Sequence, residues 1–576
     1  MQHPLVSRAA RPAVLGFLVA LAACGGSEGE STPAPAPGPA PAPAPGPAPA
    51  PGPAPGPATS KIGGELRGPV GATIVLRTAA GDTVTATVPP LAGSIDDYST
   101  VAFEFPTAVA DGSAYTVSVQ APPAGQTCRV YKGATGTLPV AAGALKVGCE
   151  WTAQHVSRNT DDSVRGTFYD STWPAIGGDA TYGEGRFVAF VSSADLGGNA
   201  AGRRQIWWRD TLTGETRLIS TDAAGNAGNA DSGAPAISRD GLTVAFESSA
   251  TNLVAGDTNG VRDVYVWSSA GGTLTTGVTR ASVGAGGAEA NGESHDPTVS
   301  ADGSVVAFAS YATNLVAGTT VTGTNAYRRV MASGATTLLS LGLNNTGVGG
   351  GKPAISADGN RVAFWSFAAN IAAGDTNGLW DIFVYDHTAG TRQRVSLTHT
   401  GGERNQGTES ASRIVAPAIS GDGRFVAYAT TASNVVPGDT NGMQDVFVVE
   451  VDTGTVQRAS VASDGAQGNA DSPTSQGERP ALSHDGTWVA FSTTATNLGV
   501  PTTTTGIGNV LMRHRTSGET RAVTDHRSNG SVGAPTISFA GNYVIFGAGT
   551  VLDARFASSG LFVRYMDLTR GWYWID

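Results

Sequence analysis

From about residue 180 onward, apolar residues come in short bursts of strand length rather than at helical spacing. The bursts VAFESS, VAFAS, VAFWS, VAYAT and VAFST each follow the same tight punctuation, Ser-x-Asp-Gly, which begins at Ser238, Ser300, Ser356, Ser420 and Ser483. Asp240, Asp302, Asp358, Asp422 and Asp485, each followed by glycine, supply the backbone angles of a hairpin turn. Two degenerate copies bracket these five, YGEG from Tyr182 and SFAG from Ser538. After each burst come a long polar stretch, a third run such as DVYVW or DIFVY, a turn such as TSGET, and a fourth run such as QRASV. Four antiparallel strands per unit, repeated seven times, predict an all-β fold with a seven-bladed β-propeller over residues 153–576. One unit cannot bury both of its faces, so the ring must close. His155-Val156-Ser157 and Gly571-Trp572-Tyr573-Trp574 both fit the last fourth-strand place, and the pattern alone leaves the two open.

Residues 60–152 have a different rhythm. ATIVLRTA, DTVTATV, VAFEF, AYTVSVQ and TCRVY alternate or run apolar, with Gly, Pro or Asp between them. They predict a small β-sandwich of about seven strands ahead of the propeller. Upstream, residues 24–59 are almost pure Pro, Ala and Gly from Thr32 to Ala58 and cannot form a core. Such a linker favours extended polyproline II at about 3.1 Å per residue, giving a stalk of up to ~80 Å.

The first 23 residues read as an address. Arg8 and Arg11 precede the apolar run AVLGFLVALAA, which is too short to span a bilayer. The following Leu21-Ala22-Ala23-Cys24 resembles the lipobox of bacterial lipoproteins. That resemblance implies cleavage after a signal peptide at 1–23 and lipidation of Cys24, with the membrane engaged through the anchor only. Gly25, in place of a retention aspartate, points by the same resemblance to the outer membrane. An exported chain permits a disulfide, and Cys128 and Cys149 are the pair available within the small domain. The stretch GQTCRVYKGATGTLPVAAGALKVGCEW resembles a two-cysteine domain of bacterial surface proteins, which implies a spacer or adhesion module.

The Ser-x-Asp-Gly turn before an aromatic-ended strand, with an Asp-Ile-Tyr-like third strand, resembles the TolB-like family of WD-type propellers over about residues 154–576. The resemblance implies a protein-binding or scaffold role and carries over no partner-binding residue. The long second-to-third loops and the blade-to-blade loops emerge on one face of such a disc, which makes that face the binding candidate. Its sharpest motif is Asp-x-Asn-Gly-x-x-Asp: Asp257, Asn259 and Asp263; Asp375, Asn377 and Asp381; Asp439, Asn441 and Asp445. Clustered oxygens around a glycine turn suit a weak Ca²⁺ site, yet the motif lacks the late bidentate glutamate of an EF-hand, and a purely structural turn is the favoured reading. No other cofactor is implied.

Charge narrows the function classes. With Lys and Arg totalling 36 against 47 Asp and Glu, the net charge of −11 argues against nucleic acid as a partner. The eight histidines show no metal-ligand spacing, no nucleophile elbow or Walker loop occurs, and His484 reads as a solvated turn residue. The expectation is a non-catalytic envelope protein that engages a protein or glycan. The alternative is a secreted propeller hydrolase or lyase acting on carbohydrate or peptide.

Overall fold

The computed structural model describes residues 58–566 with interruptions, the longer ones at 90–97, 158–170, 407–414, 500–507, 525–531 and 549–559. Cys24, the leader, the Pro-rich segment and Gly571–Trp574 lie outside the described residues. Among the described residues the chain is all strand and turn, apart from one 3₁₀ turn at Ala285–Gly287.

The N-terminal part forms two four-stranded sheets. One is ordered Tyr98–Ala110, Thr59–Pro69, Lys146–Trp151, Gln126–Lys132; the other Thr83–Thr87, Thr73–Thr78, Ala114–Ala121, Thr135–Thr137. Eight strands are present where the pattern predicted about seven. Their alternating inward residues, Leu66, Ile74, Leu76, Phe105, Val117 and Val147 among them, make one core. Cys128 and Cys149 sit opposite each other on antiparallel strands and are joined by a disulfide.

Seven further four-stranded sheets follow. The first strands of sheets one to seven are Ser171–Gly177, Ser232–Ile237, Ser294–Val299, Gly351–Ile355, Ala418–Ile419, Ala481–Leu482 and Val532–Ile537. Each lies against the next, and the seventh lies against the first, so these strands form a closed inner ring. The second strands Phe187–Ser192, Val305–Ser310 and Trp488–Thr493 are buried at every position because each sheet is covered on both faces by its neighbours. The apolar cores therefore lie between sheets. Phe187, Trp208, Phe246 and Trp267 fill the space between sheets one and two. Val188, Phe190, Trp207, Ile545 and Leu561 fill the space between sheets one and seven. This is a β-propeller.

The N-terminal segment closes the ring. Gln154–His155 pairs antiparallel with Phe562 and Val563 as the fourth strand of sheet seven, and the Val156 amide donates to the Leu561 carbonyl at 2.7 Å. Val156 is 1% exposed and belongs to the core between sheets seven and one, so closure buries apolar surface as well as pairing backbone.

The five regular turns are wired alike. In sheet three the Ser300 hydroxyl donates to Asp302 at 2.6 Å and accepts the Val305 amide at 3.0 Å, while Asp302 takes the Ser304 amide at 3.0 Å. The glycine that follows is needed twice over: Gly241 has φ 76°, and a Cβ there would lie 2.0 Å from the Phe187 ring of the preceding sheet.

The two degenerate turns form a matched pair. In sheet seven the motif aspartate is replaced by Ala540. Glu184, at the corresponding place in sheet one, reaches across the seam and accepts hydrogen bonds from Ser538 Oγ at 2.5 Å, the Ala540 amide at 2.7 Å and Asn542 Nδ2 at 2.7 Å. The expected alignment of YGEG with a whole Ser-x-Asp-Gly turn needs a correction: Gly177 extends the first strand where Ser238 stands in sheet two, and a longer connection follows before Glu184.

Candidate functional site

On the turn face, the residue after the turn serine links one sheet to the next. The Gly178 amide donates to Arg239, Arg239 to Ala301, Ala301 to Ala357 and Ala357 to Gly421, at 2.7–2.9 Å. The series continues with Asp422 to His484 and His484 to Phe539, both 2.8 Å. Of the seven residues that begin these turns, Gly178, Ala301, Ala357 and Gly421 are small, whereas Arg239, His484 and Phe539 are large and converge. The His484 imidazole stacks on Phe539 at 3.9 Å, and the Arg239 guanidinium lies 3.4 Å from the same ring's centroid. A Cβ on Gly421 would lie 2.1 Å from His484 Nδ1, so the small neighbours make room for the stack. His484 is thus not the solvated residue its turn suggested. Its Nδ1 is buried without a hydrogen-bond partner, and burial pushes its pKa below the usual imidazole value. The stack ties the turns of sheets two, six and seven together at this end of the ring.

The long-loop face holds the Asp-x-Asn-Gly-x-x-Asp loops, each closed by an arginine that the motif did not include. In sheet two, Arg280 Nη1 lies 3.2 Å from Asp257, 3.3 Å from Asp263 and 2.7 Å from Glu289. In sheet four, Arg394 pairs with Asp375 at 2.8 Å, Asp381 at 3.5 Å and Glu403 at 3.2 Å. In sheet five, Arg458 pairs with Asp439 at 3.0 Å and Asp445 at 3.3 Å. The asparagines brace the turn. Asn259 Nδ2 donates to Asp263 at 2.8 Å and Asn441 Nδ2 to Asp445 at 2.9 Å, while the Asn377 carbonyl oxygen accepts the Leu379 amide at 2.9 Å. A serine of the fourth strand, Ser282, Ser396 or Ser460, donates to the last aspartate of each loop. Burial pushes Asp263, Asp375, Asp439 and Asp445 above the usual carboxylate range, with the guanidinium opposing it.

The arginine was legible in the sequence through co-occurrence. TRAS, QRVS and QRAS stand in the repeats with carboxylate loops, whereas sheets one, three and six have Leu218, Leu338 and Ala522 at the arginine's place. There the last aspartate is replaced by Gln205, Asn325 or Asn509, which accept from Ser220 at 2.6 Å, Ser340 at 2.9 Å and Thr524 at 3.1 Å. Acid and arginine come and go together. Each clamp brings its own cation to the oxygens that Ca²⁺ would require.

Toward the ring's centre, a proline lies within the first strand of five sheets and directly before it in sheets five and six, and the residues preceding these prolines are Trp173, Ala234, Asp296, Lys352, Ala416, Arg479 and Ala534. Trp173, Ala234, Asp296 and Lys352 have φ of 47°, 45°, 51° and 46°, and the strand pairing skips at each of them. Positive φ is unusual for these residue types and marks a bulge that re-aims the side chain. Asp296 Oδ2 lies 2.9 Å from His295 Nδ1. Burial would raise the Asp296 pKa, but that hydrogen bond and the charges of His295, Lys352 and Arg479 hold it below the usual carboxylate range. Beside it, Glu247 accepts the Asp296 amide at 2.9 Å and Arg262 Nη1 at 3.2 Å, and burial pushes its pKa up.

Apolar groups complete this face. The four large apolar side chains exposed among the described residues are Trp173 at 46%, Tyr311 at 53%, Leu343 at 68% and Phe367 at 53%. Trp173 is near the long-loop end of its first strand. Tyr311 and Phe367 follow the ends of second strands, and Leu343 lies in the connection between sheets three and four, its amide donating to Asn370. Trp380 packs 5.2 Å from Phe367 and 4.4 Å from Trp365, extending the patch.

No family model matches the chain, and no curated protein does. Among solved structures, TolB from Acinetobacter baumannii is 16% identical with TM-score 0.29, the likeness covering 68% of this chain and 63% of that one. The β-propeller domain of the Trilobed protease from Pyrococcus furiosus is 12% identical, TM-score 0.41, covering 69% and 95%. An oligogalacturonate lyase from Vibrio parahaemolyticus is 11% identical, TM-score 0.40, covering 70% and 90%. The propeller architecture of this chain stands on its own sheet order, its ring of first strands and its inter-sheet cores. Among the described residues no helix is long and apolar enough to cross a membrane.

Proposed function

We propose that the protein is a seven-bladed, TolB-like propeller lipoprotein of a bacterial envelope that binds a partner without transforming it. In this reading the leader at 1–23 directs export, and acylated Cys24 holds the mature chain at the outer membrane. Residues 24–59 act as a stalk and 60–152 as a disulfide-stapled spacer. The propeller at 153–576 then presents its long-loop face to an envelope protein or glycan.

One observation carries the binding assignment: among the described residues the exposed large apolar side chains all belong to the long-loop face, with Tyr311, Leu343 and Phe367 contributed by sheets three and four. A grouped apolar patch rimmed by charges is the usual mark of an interaction surface. The opposite face is knitted by backbone hydrogen bonds and short turns and offers no comparable group among the described residues. The test is affinity capture from solubilised envelope fractions by the immobilised full chain, its Tyr311→Ala/Phe367→Ala variant and a turn-face control, Ser304→Ala. Captured material should fall at least fivefold with the double variant and be unchanged with the control. Equal capture by all three would overturn the assignment.

A further inference from the structure

Four Asn-Gly pairs lie among the described residues: Asn259–Gly260, Asn291–Gly292, Asn377–Gly378 and Asn441–Gly442. In such a pair the glycine amide nitrogen can attack the asparagine side-chain carbonyl carbon, because glycine has no Cβ to hinder the approach. Three of the pairs share one local sequence, Gly-Asp-Thr-Asn-Gly, from Gly256, Gly374 and Gly438. They share one backbone as well, with φ of 65°, 65° and 68° at Gly260, Gly378 and Gly442. In each, the asparagine Oδ1 accepts the amide two residues on, from Val261 at 3.1 Å, Leu379 at 2.9 Å and Met443 at 3.1 Å. Local chemistry therefore gives these three asparagines no reason to differ.

They part at the amide nitrogen. Asn259 Nδ2 donates to Asp263 at 2.8 Å and to the Ala290 carbonyl at 3.1 Å. Asn441 Nδ2 donates to Asp445 at 2.9 Å and to the Gly468 carbonyl at 3.0 Å. Asn291 Nδ2 donates to Thr313 Oγ1 at 2.8 Å. Asn377 Nδ2 is buried and has no partner. Arg404 accounts for the difference, since it stands where Ala290 and Gly468 stand in the other two repeats. Its buried guanidinium engages Asp381, the counterpart of Asp263 and Asp445, at 3.1 Å, and Thr430 Oγ1 at 2.8 Å. A bond to a carboxylate is a strong one, and a held amide must break it before its carbon can turn toward the glycine nitrogen. Asn377 has no such bond to break.

We propose that Asn377 is a site of spontaneous deamidation on the long-loop face, selected from identical loops because Arg404 leaves its amide nitrogen unheld. The Gly378 nitrogen bonds to the Asn377 side-chain carbon, the bond from that carbon to Nδ2 breaks, and Nδ2 leaves as ammonia with the proton from Gly378. Water then opens the cyclic imide at either carbonyl, giving an aspartyl or an isoaspartyl residue at 377; nothing is oxidised or reduced. Thr376 and Gly378 are exposed, so water reaches the ring. The product adds a negative charge to the loop, and the isoaspartyl form lengthens its backbone by one methylene three residues before Trp380. The Trp380 ring lies 5.2 Å from exposed Phe367, so the modification alters the chain beside the apolar patch as the protein ages.

The experiment ages the full chain at mildly alkaline pH, digests it and follows the four pairs by mass spectrometry, with a second sample aged in denaturant. In the folded chain Asn377 should convert at least fivefold faster than Asn259, Asn291 or Asn441. In denaturant the three Gly-Asp-Thr-Asn-Gly loops should convert alike, because only the tertiary contacts distinguish them. Arg404→Ala, which installs the residue of sheet two, should slow Asn377 to the rate of Asn259 while circular dichroism remains that of the folded ring. Equal rates in the folded chain, faster conversion at Asn259 or Asn441, or the same preference for Asn377 in denaturant would each overturn the site. So would a folded Arg404→Ala chain that still converts first at Asn377. If Arg404→Ala does not fold, the wild-type and denatured samples decide the question between them.

Discussion

Removing the Glu184 carboxylate should open the ring at its seam, and a second substitution should close it again. Glu184 accepts three hydrogen bonds from the sheet-seven turn, at 2.5, 2.7 and 2.7 Å. Hydrogen bonds to a charged acceptor contribute about 1.5–3 kcal/mol each when buried. These are part-buried or exposed, and water can replace some of them, so Glu184→Ala should cost about 2–4 kcal/mol in all. For a ring of roughly 400 residues the unfolding entropy is about 0.9 kcal/mol/K, so melting should fall by about 2–5 °C. The five regular turns show the remedy, since each holds its serine with an aspartate two residues on, as Ser300 does with Asp302 at 2.6 Å. Ala540→Asp should therefore rescue Glu184→Ala to within about 1 kcal/mol. In the wild type the same substitution should destabilise, because it sets two carboxylates on one serine. The assay is a double-mutant cycle by thermal and denaturant unfolding, with amide exchange of residues 532–548 as the local readout. A Glu184→Ala change under 0.5 kcal/mol, or additive effects of the two substitutions, would refute the in-trans replacement.

The arginine clamps make a second prediction. Arg458→Leu should cost about 3–5 kcal/mol by leaving Asp439 and Asp445 buried without their counter-charge, and Asp439→Asn/Asp445→Asn in the same chain should recover most of it, as seen by denaturant unfolding. With a guanidinium already among the carboxylates, calorimetry in EDTA and in millimolar Ca²⁺ should give coincident melting curves; a Ca²⁺-dependent rise lost in Asp257→Ala/Asp375→Ala/Asp439→Ala would instead establish the loops as metal sites. Acid should act partly through Glu289, whose hydrogen bonds from the Thr258 hydroxyl and amide, with Arg280, hold its pKa down at about 2. A depressed folded-state pKa means its stabilisation is complete above the ordinary carboxylate value of about 4.3 and is lost as pH falls toward 2, so Glu289→Gln should flatten the melting-temperature profile in that window and leave it unchanged in slope near pH 7. Cys24→Ser should abolish acylation, read as the loss of lipid mass and of membrane fractionation; an unchanged mass would refute the anchor.

The repeat grammar was legible because it is local. Ser-x-Asp-Gly works through bonds spanning a few residues, so serine, aspartate and glycine announce the turn wherever they fall together, and the bursts between turns announce strands buried on both faces. The same locality let a cysteine pair be matched within one small module. Glu184 and Ala540 each look like decay of the motif when read singly, since their meaning lies in a contact between positions 356 residues apart in the chain. His155 and the C-terminal aromatics fit the closing strand equally by pattern, and only the ring of sheets, which brings Gln154–His155 beside Phe562 and Val563, selected the first. His484 looked like a solvent-facing turn residue until the inner circle of turns set it against Phe539. Composition and spacing report what a residue does to its own backbone. Which charges meet, as Arg280 meets Asp257 and Asp263, is decided only when the strands of a sheet pair, and which turns meet across the seam, as Glu184 meets Ser538, only when the ring closes.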